Sequence, residues 1–322
     1  MRLSIERLTA ESAATGFRPE ILEKVIHLLG LLEGFRSHPY LRDRLAVKGG
    51  TALNLFVFDL PRLSVDVDMN YVGAQDRETM LTERPKVEQA ITAVCGRQGF
   101  AIQRIPSDHA GDKWRLRYES ALGQGGNLEV DVNFMFRVPL WPPVMRDSRP
   151  LGSSAARGIP ILDEHELAAG KLAALFARHA ARDLFDTHEL LERRTLEPEK
   201  LRLGFVVYGA INRKDWRAVS VEDVGFDARE LRDTLLPVLR MDHLANLDDP
   251  ASWAQRLVQE TRAALAAVLP NSDNEREFLD RLLDQGEIEP SLLTSDPAIA
   301  ERILHHPGLL WKAQNVREFK GI

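Results

Sequence analysis

Apolar residues recur at helical spacing over residues 18–36. Ile21, Leu22, Val25, Ile26, Leu28, Leu29 and Leu32 predict an amphipathic helix, which His38-Pro39 closes. A short apolar run at 45–47 then meets Lys48-Gly49-Gly50, and residues 51–58 predict a helix opened by Thr51 or by the glycines themselves. The period changes to two over residues 63–72 (LSVDVDMNYV) and again over 127–136 (NLEVDVNFMF), and each stretch predicts a strand. Between them, residues 77–98 predict a helix, 100–105 and 114–118 predict two further strands, and the GQGG sequence at 123–126 predicts a turn.

Residues 139–160 lose both periods. Pro139, Pro142, Pro143, Pro150 and Pro160, with Gly152 and Gly158, predict a loop or linker. It carries Arg146, Arg149 and Arg157 against one acid, Asp147. From Asp163 onward the pattern is helical, with Asp163 as the expected N-cap and Glu166 completing a capping box. Residues 164–186 predict one long helix. No internal repeat or low-complexity tract interrupts this order. The organisation expected is a domain of strands and helices over residues 1–160, followed by an all-helical domain over 161–322.

Composition changes this picture little. With 322 residues, 44% of them hydrophobic and 28% charged, the chain is long enough for two domains with ordinary cores. A single cysteine, Cys95, excludes an internal disulfide, and no apolar run reaches signal-peptide or membrane-span length, so a cytoplasmic protein is expected. The net charge of -6 argues against a surface coated in basic groups for non-specific nucleic-acid binding. It is compatible with a local basic patch, or with nucleotide binding through metal ions that bring their own charge.

Alternation puts Asp66 and Asp68 on one face of the first acidic strand, opposite Val65, Val67 and Met69. Two carboxylates so placed repel each other unless solvent, a cationic side chain or a metal offsets them. Taken alone, such a pair is more often a solvated strand face. The second strand repeats the arrangement, with Glu129, Asp131 and Asn133 on one face. Should the two strands be neighbours, Asp131 stands beside Asp66 and Asp68, and three carboxylates suit hard divalent cations such as Mg2+ or Mn2+. Glu129 and Asn133 sit at the edge of that face, with no role assigned.

Gly49-Gly50 lies where a strand passes into a helix. There, backbone N–H groups and the helix N-terminus can receive a phosphate, with the Thr51 hydroxyl close by. A tight turn is the competing reading. Further along, Lys171, Arg178, Arg182 and Asp186 fall on one stripe of the predicted 164–186 helix, read either as a solvated face or as cations held among acids for phosphate. His165, His179 and His188 lack metal-site spacing and are expected to be structural or surface residues.

Together these elements resemble a known family. The KGGTAL sequence from Lys48, RLSVDVDM from Arg62 and KLAALFARHAARDLFD from Lys171 are similar to the AbiEii-type nucleotidyltransferase toxins, which include the MenT toxins of mycobacteria. The order of glycines and paired aspartates is similar to that of the polymerase-β-like nucleotidyltransferase superfamily. The resemblance covers roughly residues 45–190. It implies an α+β fold: a nucleotidyltransferase fold, with a mixed sheet flanked by helices, then an all-helical C-terminal domain that completes the active site. It also implies the toxin half of a type IV-like toxin–antitoxin or phage-defence pair, some members of which transfer nucleotides from NTPs to the tRNA 3′ end. Gly49, Gly50, Ser64, Asp66 and Asp68 match the first motif, and Lys171, Arg178, Arg182, Asp183 and Asp186 the later one.

The mechanism expected from these residues has Asp66, Asp68 and Asp131 holding metal, and Gly49, Gly50 and Ser64 holding phosphate oxygens. Lys171 meets the triphosphate, and Asp186 orients Lys171 or Arg182. The expected partners are an NTP, tRNA and a cognate antitoxin, with no membrane. Transfer to a small molecule or a protein is the enzymatic alternative. A catalytically silent nucleotide-binding partner protein is the alternative of a different class, and a metal-free α/β protein the blandest one.

Overall fold

The structure, a computed structural model, describes residues 3–59, 61–108, 111–193, 196–247 and 249–321. The chain forms two compact units. One comprises residues 1–137, 143–162 and 236–246, the other residues 138–142, 163–235 and 247–322.

In the first unit, helices α1 (Ile5–Thr15) and α2 (Pro19–Ser37) lead into β1 (Leu45–Val47). The α2 periodicity holds: Leu22, Val25, Ile26, Leu28, Leu29 and Leu32 are all buried. A short helix, α3 (Gly49–Ala52), continues as a π-helical turn over Leu53–Val57, and β2 (Val67–Tyr71) follows. Helix α4 (Arg77–Arg97) precedes β3 (Ala101–Asp108), β4 (Gly111–Glu119) and β5 (Gly125–Asn133). Among the described residues seven strands make one mixed sheet in the order β3-β4-β5-β2-β1-β7-β6, with β6 (Val144–Arg146) and β7 (Ile159–Ile161) at one edge. The fold is thus α+β.

Three local expectations change. The first acidic strand begins at Val67 rather than 63. Arg62 instead forms an isolated antiparallel bridge with Leu239, and the Leu63 N–H donates to the Val238 carbonyl, so residues 62–63 pair with a segment far along the chain. The proline-rich stretch 139–160 contains β6 and β7, which pair with each other, while β7 joins β1 in parallel. Three-residue strands are too short to display a period, and pairing alone defines them. The long helix breaks at His179, which adopts a left-handed conformation (φ 52°) and gives two helices, α5 (Glu164–Arg178) and α6 (Ala181–Arg193). The His179 ring bonds the Asp223 carbonyl at 3.0 Å, and the His179 carbonyl accepts from the Asp227 N–H, which secures the break.

The second unit is helical. After α6 come α7 (Pro198–Ala210), α8 (Ala228–Glu230), α10 (Pro250–Ala264), α11 (Asp273–Asp280), α12 (Pro297–Leu304) and α13 (Pro307–Lys320), while α9 (Met241–Ala245) belongs to the first unit. Aromatic packing of Phe176, Phe205 and Trp216 joins α5 to α7, with ring centroids 4.9–5.8 Å apart. No helix among the described residues is long and apolar enough to cross a membrane.

At the start of α5, Asp163 caps through its side chain, accepting from the His165 N–H at 2.9 Å. Glu166 does not complete a capping box. It turns inward, fully buried, and accepts from the Leu140 and Trp141 N–H groups and from the Tyr208 hydroxyl at 2.6 Å. These donors are better partners for a buried acid than a solvated N-cap would be, and they tie residues 138–142 to α5 and α7. Burial nevertheless raises the Glu166 pKa from 4.5 to about 7, against the pull of the three donors. A carboxyl whose folded pKa exceeds its unfolded value contributes most to stability below the unfolded value. That contribution disappears as pH rises through the folded value. Glu166→Gln cannot ionise. The Tm advantage of wild type over this variant is therefore expected to shrink as pH rises from 4.5 to about 7. Melting curves across that range check this, and a pH-independent difference refutes it.

Candidate active site

The site in the sheet unit begins with strand pairing. β2 and β5 run parallel, with Asp68 aligned to Asp131 and Asn70 to Asn133. Val67, Met69, Val130 and Val132 are buried on the opposite face, so a one-residue slip would expose the core and bury the acids. The hydrophobic alternation therefore determines which acids meet. Asp131 is half-buried. Its carboxyl stands above the ordinary aspartate range, first because burial penalises its charge and then because Asp68 repels it, with Lys48 and Lys113 opposing.

The neighbouring strand supplies cations that the sequence did not flag. β4 lies antiparallel to β5, with Lys113 aligned to Asp131 and Arg115 to Glu129. The Lys113 ammonium is 3.2 Å from Glu129 and 3.9 Å from Asp131, and Arg115 reaches Glu129 at 2.9 Å. Burial works against the Lys113 charge, yet Glu129, Asp131 and Asp68 together hold its pKa above the usual lysine value. The signal was present in the alternation of Lys113, Arg115 and Arg117 on β4, but only the register shows which acids they oppose. Glu129 is thus a bridge between two cations. The Asn133 side-chain oxygen accepts from the Met135 and Phe136 N–H groups and turns the chain after β5.

The glycine turn lies against these acids. The Lys48 N–H donates to the Asp68 carbonyl at 2.9 Å, so β1 delivers the turn directly to β2. Gly49 has φ +65°, and a Cβ there would come within 3.2 Å of the Asp68 carboxylate oxygen. A Cβ on Gly50 would meet the Arg62 guanidinium at 2.8 Å and the Ser64 hydroxyl at 3.1 Å. Gly49, Gly50, Ser64 and Asp68 are therefore gathered at one place, with Arg62 added to them. Thr51 is buried, and its hydroxyl donates to the Asp66 carbonyl, which ties the helix to the acidic segment. Asp66 sits at the residue before β2 rather than on it, with its side chain partly exposed.

Asp68 and Asp131 are hard oxygen donors whose mutual repulsion a divalent cation would relieve, and the absent Cβ at Gly49 leaves room beside them. The pair fits magnesium or manganese in this respect. Among the described residues, no three His, Cys, Asp or Glu side chains converge closely enough to hold a metal, so Asp66 does not complete a set of three in this conformation.

In the helical unit, the broken helix brings together residues that one straight stripe would have kept apart. The Lys171 ammonium lies 3.0 Å from Asp183 and 2.7 Å from Asp186. Arg178 reaches Asp183 through two nitrogens, at 2.6 and 3.1 Å. Both acids are buried, and Lys171 is 8% exposed. Burial would raise the Asp183 pKa, but Lys171 and Arg178 outweigh it and hold the carboxyl below its ordinary range. Arg182 stands in the first turn of α6, partly exposed. His165 bonds Asp163 and accepts from the Glu197 N–H, and His188 reaches Glu260 at 2.8 Å, so both serve structure. In the proline-rich stretch, Arg149 lies 3.4 Å from Asp59.

Comparison with known proteins gives a consistent picture. The profile of a family described as nucleotidyl transferase AbiEii toxin, type IV TA system, matches residues 30–291. No curated protein sequence matches the chain. Among solved structures, the chain is similar to MenT4, a nucleotidyltransferase toxin from Mycobacterium tuberculosis. The TM-score is 0.56 at 18% identity, over 94% of this chain and 98% of that one. At that identity the likeness is one of fold.

Two substitutions test the local physics. Lys171→Met leaves Asp183 and Asp186 buried without that cation. It is expected to destabilise the protein by about 3–5 kcal/mol, read from urea unfolding, and an unchanged midpoint would contradict the assignment of this cluster. Gly49→Ala pays for a left-handed residue and crowds Asp68. A loss of about 1–2 kcal/mol is expected, and wild-type stability in that variant would show that the turn relaxes freely.

Proposed function

Since the chain belongs to the AbiEii nucleotidyltransferase toxin family, we propose that it transfers a nucleoside monophosphate from an NTP to the 3′ end of tRNA. It would act as the toxin of a type IV-like toxin–antitoxin or phage-defence pair, with a cognate antitoxin as partner. The observation that carries this reading is the in-register pairing of Asp68 with Asp131 beside the Gly49-Gly50 turn. Acids that repel each other next to backbone open to a phosphate suit the handling of a metal-bound triphosphate better than they suit any structural purpose.

Asp68 and Asp131 are the residues that would hold Mg2+ or Mn2+, and Asp66 is assigned with them on the strength of the family motif. Bound there, the ion supplies charge neutralisation of the triphosphate and of the leaving pyrophosphate. Gly49, Gly50 and Ser64 hold phosphate oxygens, and Arg62 backs the turn. Asp131 is assigned to take the proton of the acceptor hydroxyl. That oxygen attacks the α-phosphorus, the bond from the α-phosphorus to the bridging oxygen breaks, and pyrophosphate leaves. Lys171, with Arg178 and Arg182, is assigned to the triphosphate on the strength of the family motif. Asp183 and Asp186 are positioning residues for Lys171.

The test incubates purified protein with magnesium, each labelled NTP in turn and total tRNA, alongside Asp66→Ala and Asp68→Ala. The expected outcome is label on tRNA from one or more NTPs, lost by at least about 100-fold in Asp68→Ala while the thermal melt stays near wild type. Label on a protein or a small molecule moves the acceptor and keeps the chemistry. Full activity in Asp68→Ala overturns the site.

A further inference from the structure

Helix α13 presents an aromatic and basic face that the reading above does not use. Trp311 and Phe319 are 48% and 91% exposed, and both line an open cavity of about 730 Å3 within the helical unit. The two aromatics lie eight residues apart, so both fall on the same side of α13, about 12 Å from each other along its axis. Asn315 stands between them, and Lys312 and Lys320 each follow an aromatic directly. Across the cavity Arg213 completes the lining, and Glu318 is the one acid among the described lining residues.

The cations of this cavity differ from others in the unit. Arg202, Lys214, Arg217, Arg262 and Arg281 are each engaged by carboxylates. Among the described residues, Lys312 has no carboxylate within ion-pair distance: its ammonium donates to the Asn212 carbonyl at 2.7 Å. Half-burial costs its charge, and only Asp215, at longer range, favours it. Arg213 is exposed and has no ion pair among the described residues, whereas Lys320 is held by Asp284. Two cations without a carboxylate at ion-pair distance among the described residues, beside two exposed aromatic side chains, suit a ligand with negative charge and flat apolar groups in alternation.

We propose that this face of α13 is a binding platform for single-stranded RNA, with bases stacked on Trp311 and Phe319 and phosphates met by Arg213 and Lys312. Stacking needs open ring faces and tolerates any base, and the cations follow the backbone between them. An acidic protein segment would satisfy the charges. It would not call for two exposed aromatic side chains on one helix side. The inference concerns binding alone and stands independently of the chemistry proposed for Asp68.

The test is fluorescence anisotropy of a labelled oligoadenylate of about ten nucleotides with the full chain. Wild type is expected to bind. Trp311→Ala and Phe319→Ala are each expected to weaken binding roughly tenfold with unchanged melting. Arg213→Ala is expected to lower the slope of log affinity against log salt by about 0.7. Asp68→Ala is expected to bind as wild type does, which separates this surface from the catalytic proposal. Absence of binding by wild type, or equal binding by both aromatic variants, overturns the inference. Quenching of tryptophan fluorescence by an acidic, leucine-containing peptide but not by the oligonucleotide overturns it in favour of a protein partner.

Discussion

The parallel pairing of β2 with β5 is the constraint on which the sheet unit depends. Valines and methionine on one face require that register, because a slip of one position would turn each apolar side chain to the other face. Satisfying the core brings Asp68 beside Asp131 on the other face. Burial and then the repulsion of Asp68 raise the Asp131 pKa, and Lys48 and Lys113 partly oppose them. The glycine turn lies against the same acids, with Gly49 in a left-handed conformation beside Asp68.

The helical unit resolves its charges differently. Lys171 and Arg178 on α5 meet Asp183, and Lys171 also meets Asp186, across the break at His179. A single left-handed residue makes this possible, since it folds α6 back so that acids close in sequence to the cations become their buried partners. The Glu166 carboxyl solves a related problem with neutral donors, and the result is an acid held near neutrality that fastens residues 138–142. The α13 cavity departs from both patterns, because among the described residues its cations Lys312 and Arg213 have no carboxylate at ion-pair distance.

Much of this was legible in residue order. The alternation over 63–72 and 127–136 marked the acidic strands and their faces, the glycines marked the turn, and the shift to helical spacing after Asp163 marked the second half. These signals are local: period two, period 3.6 and the conformational freedom of glycine act within a few residues of chain. The motifs quoted for the family are local in the same way, and family membership agrees with them.

What the residues could not disclose depends on contacts between distant segments. Lys113 faces Asp131 only because β4 pairs with β5 in one register, and Arg62 reaches the glycine turn only because residues 62–63 pair with 238–239. The strands β6 and β7 exist by pairing and have no period of their own. The helix break at His179 has no glycine or proline to announce it, and is secured by bonds to Asp223 and Asp227. Sequence alone therefore determined which faces are apolar, where the acids alternate and where the backbone can turn left-handed at glycine, because each follows from chain stereochemistry over short range. Tertiary structure alone decided which charges meet, because an ion pair depends on distances in space that residue spacing does not specify.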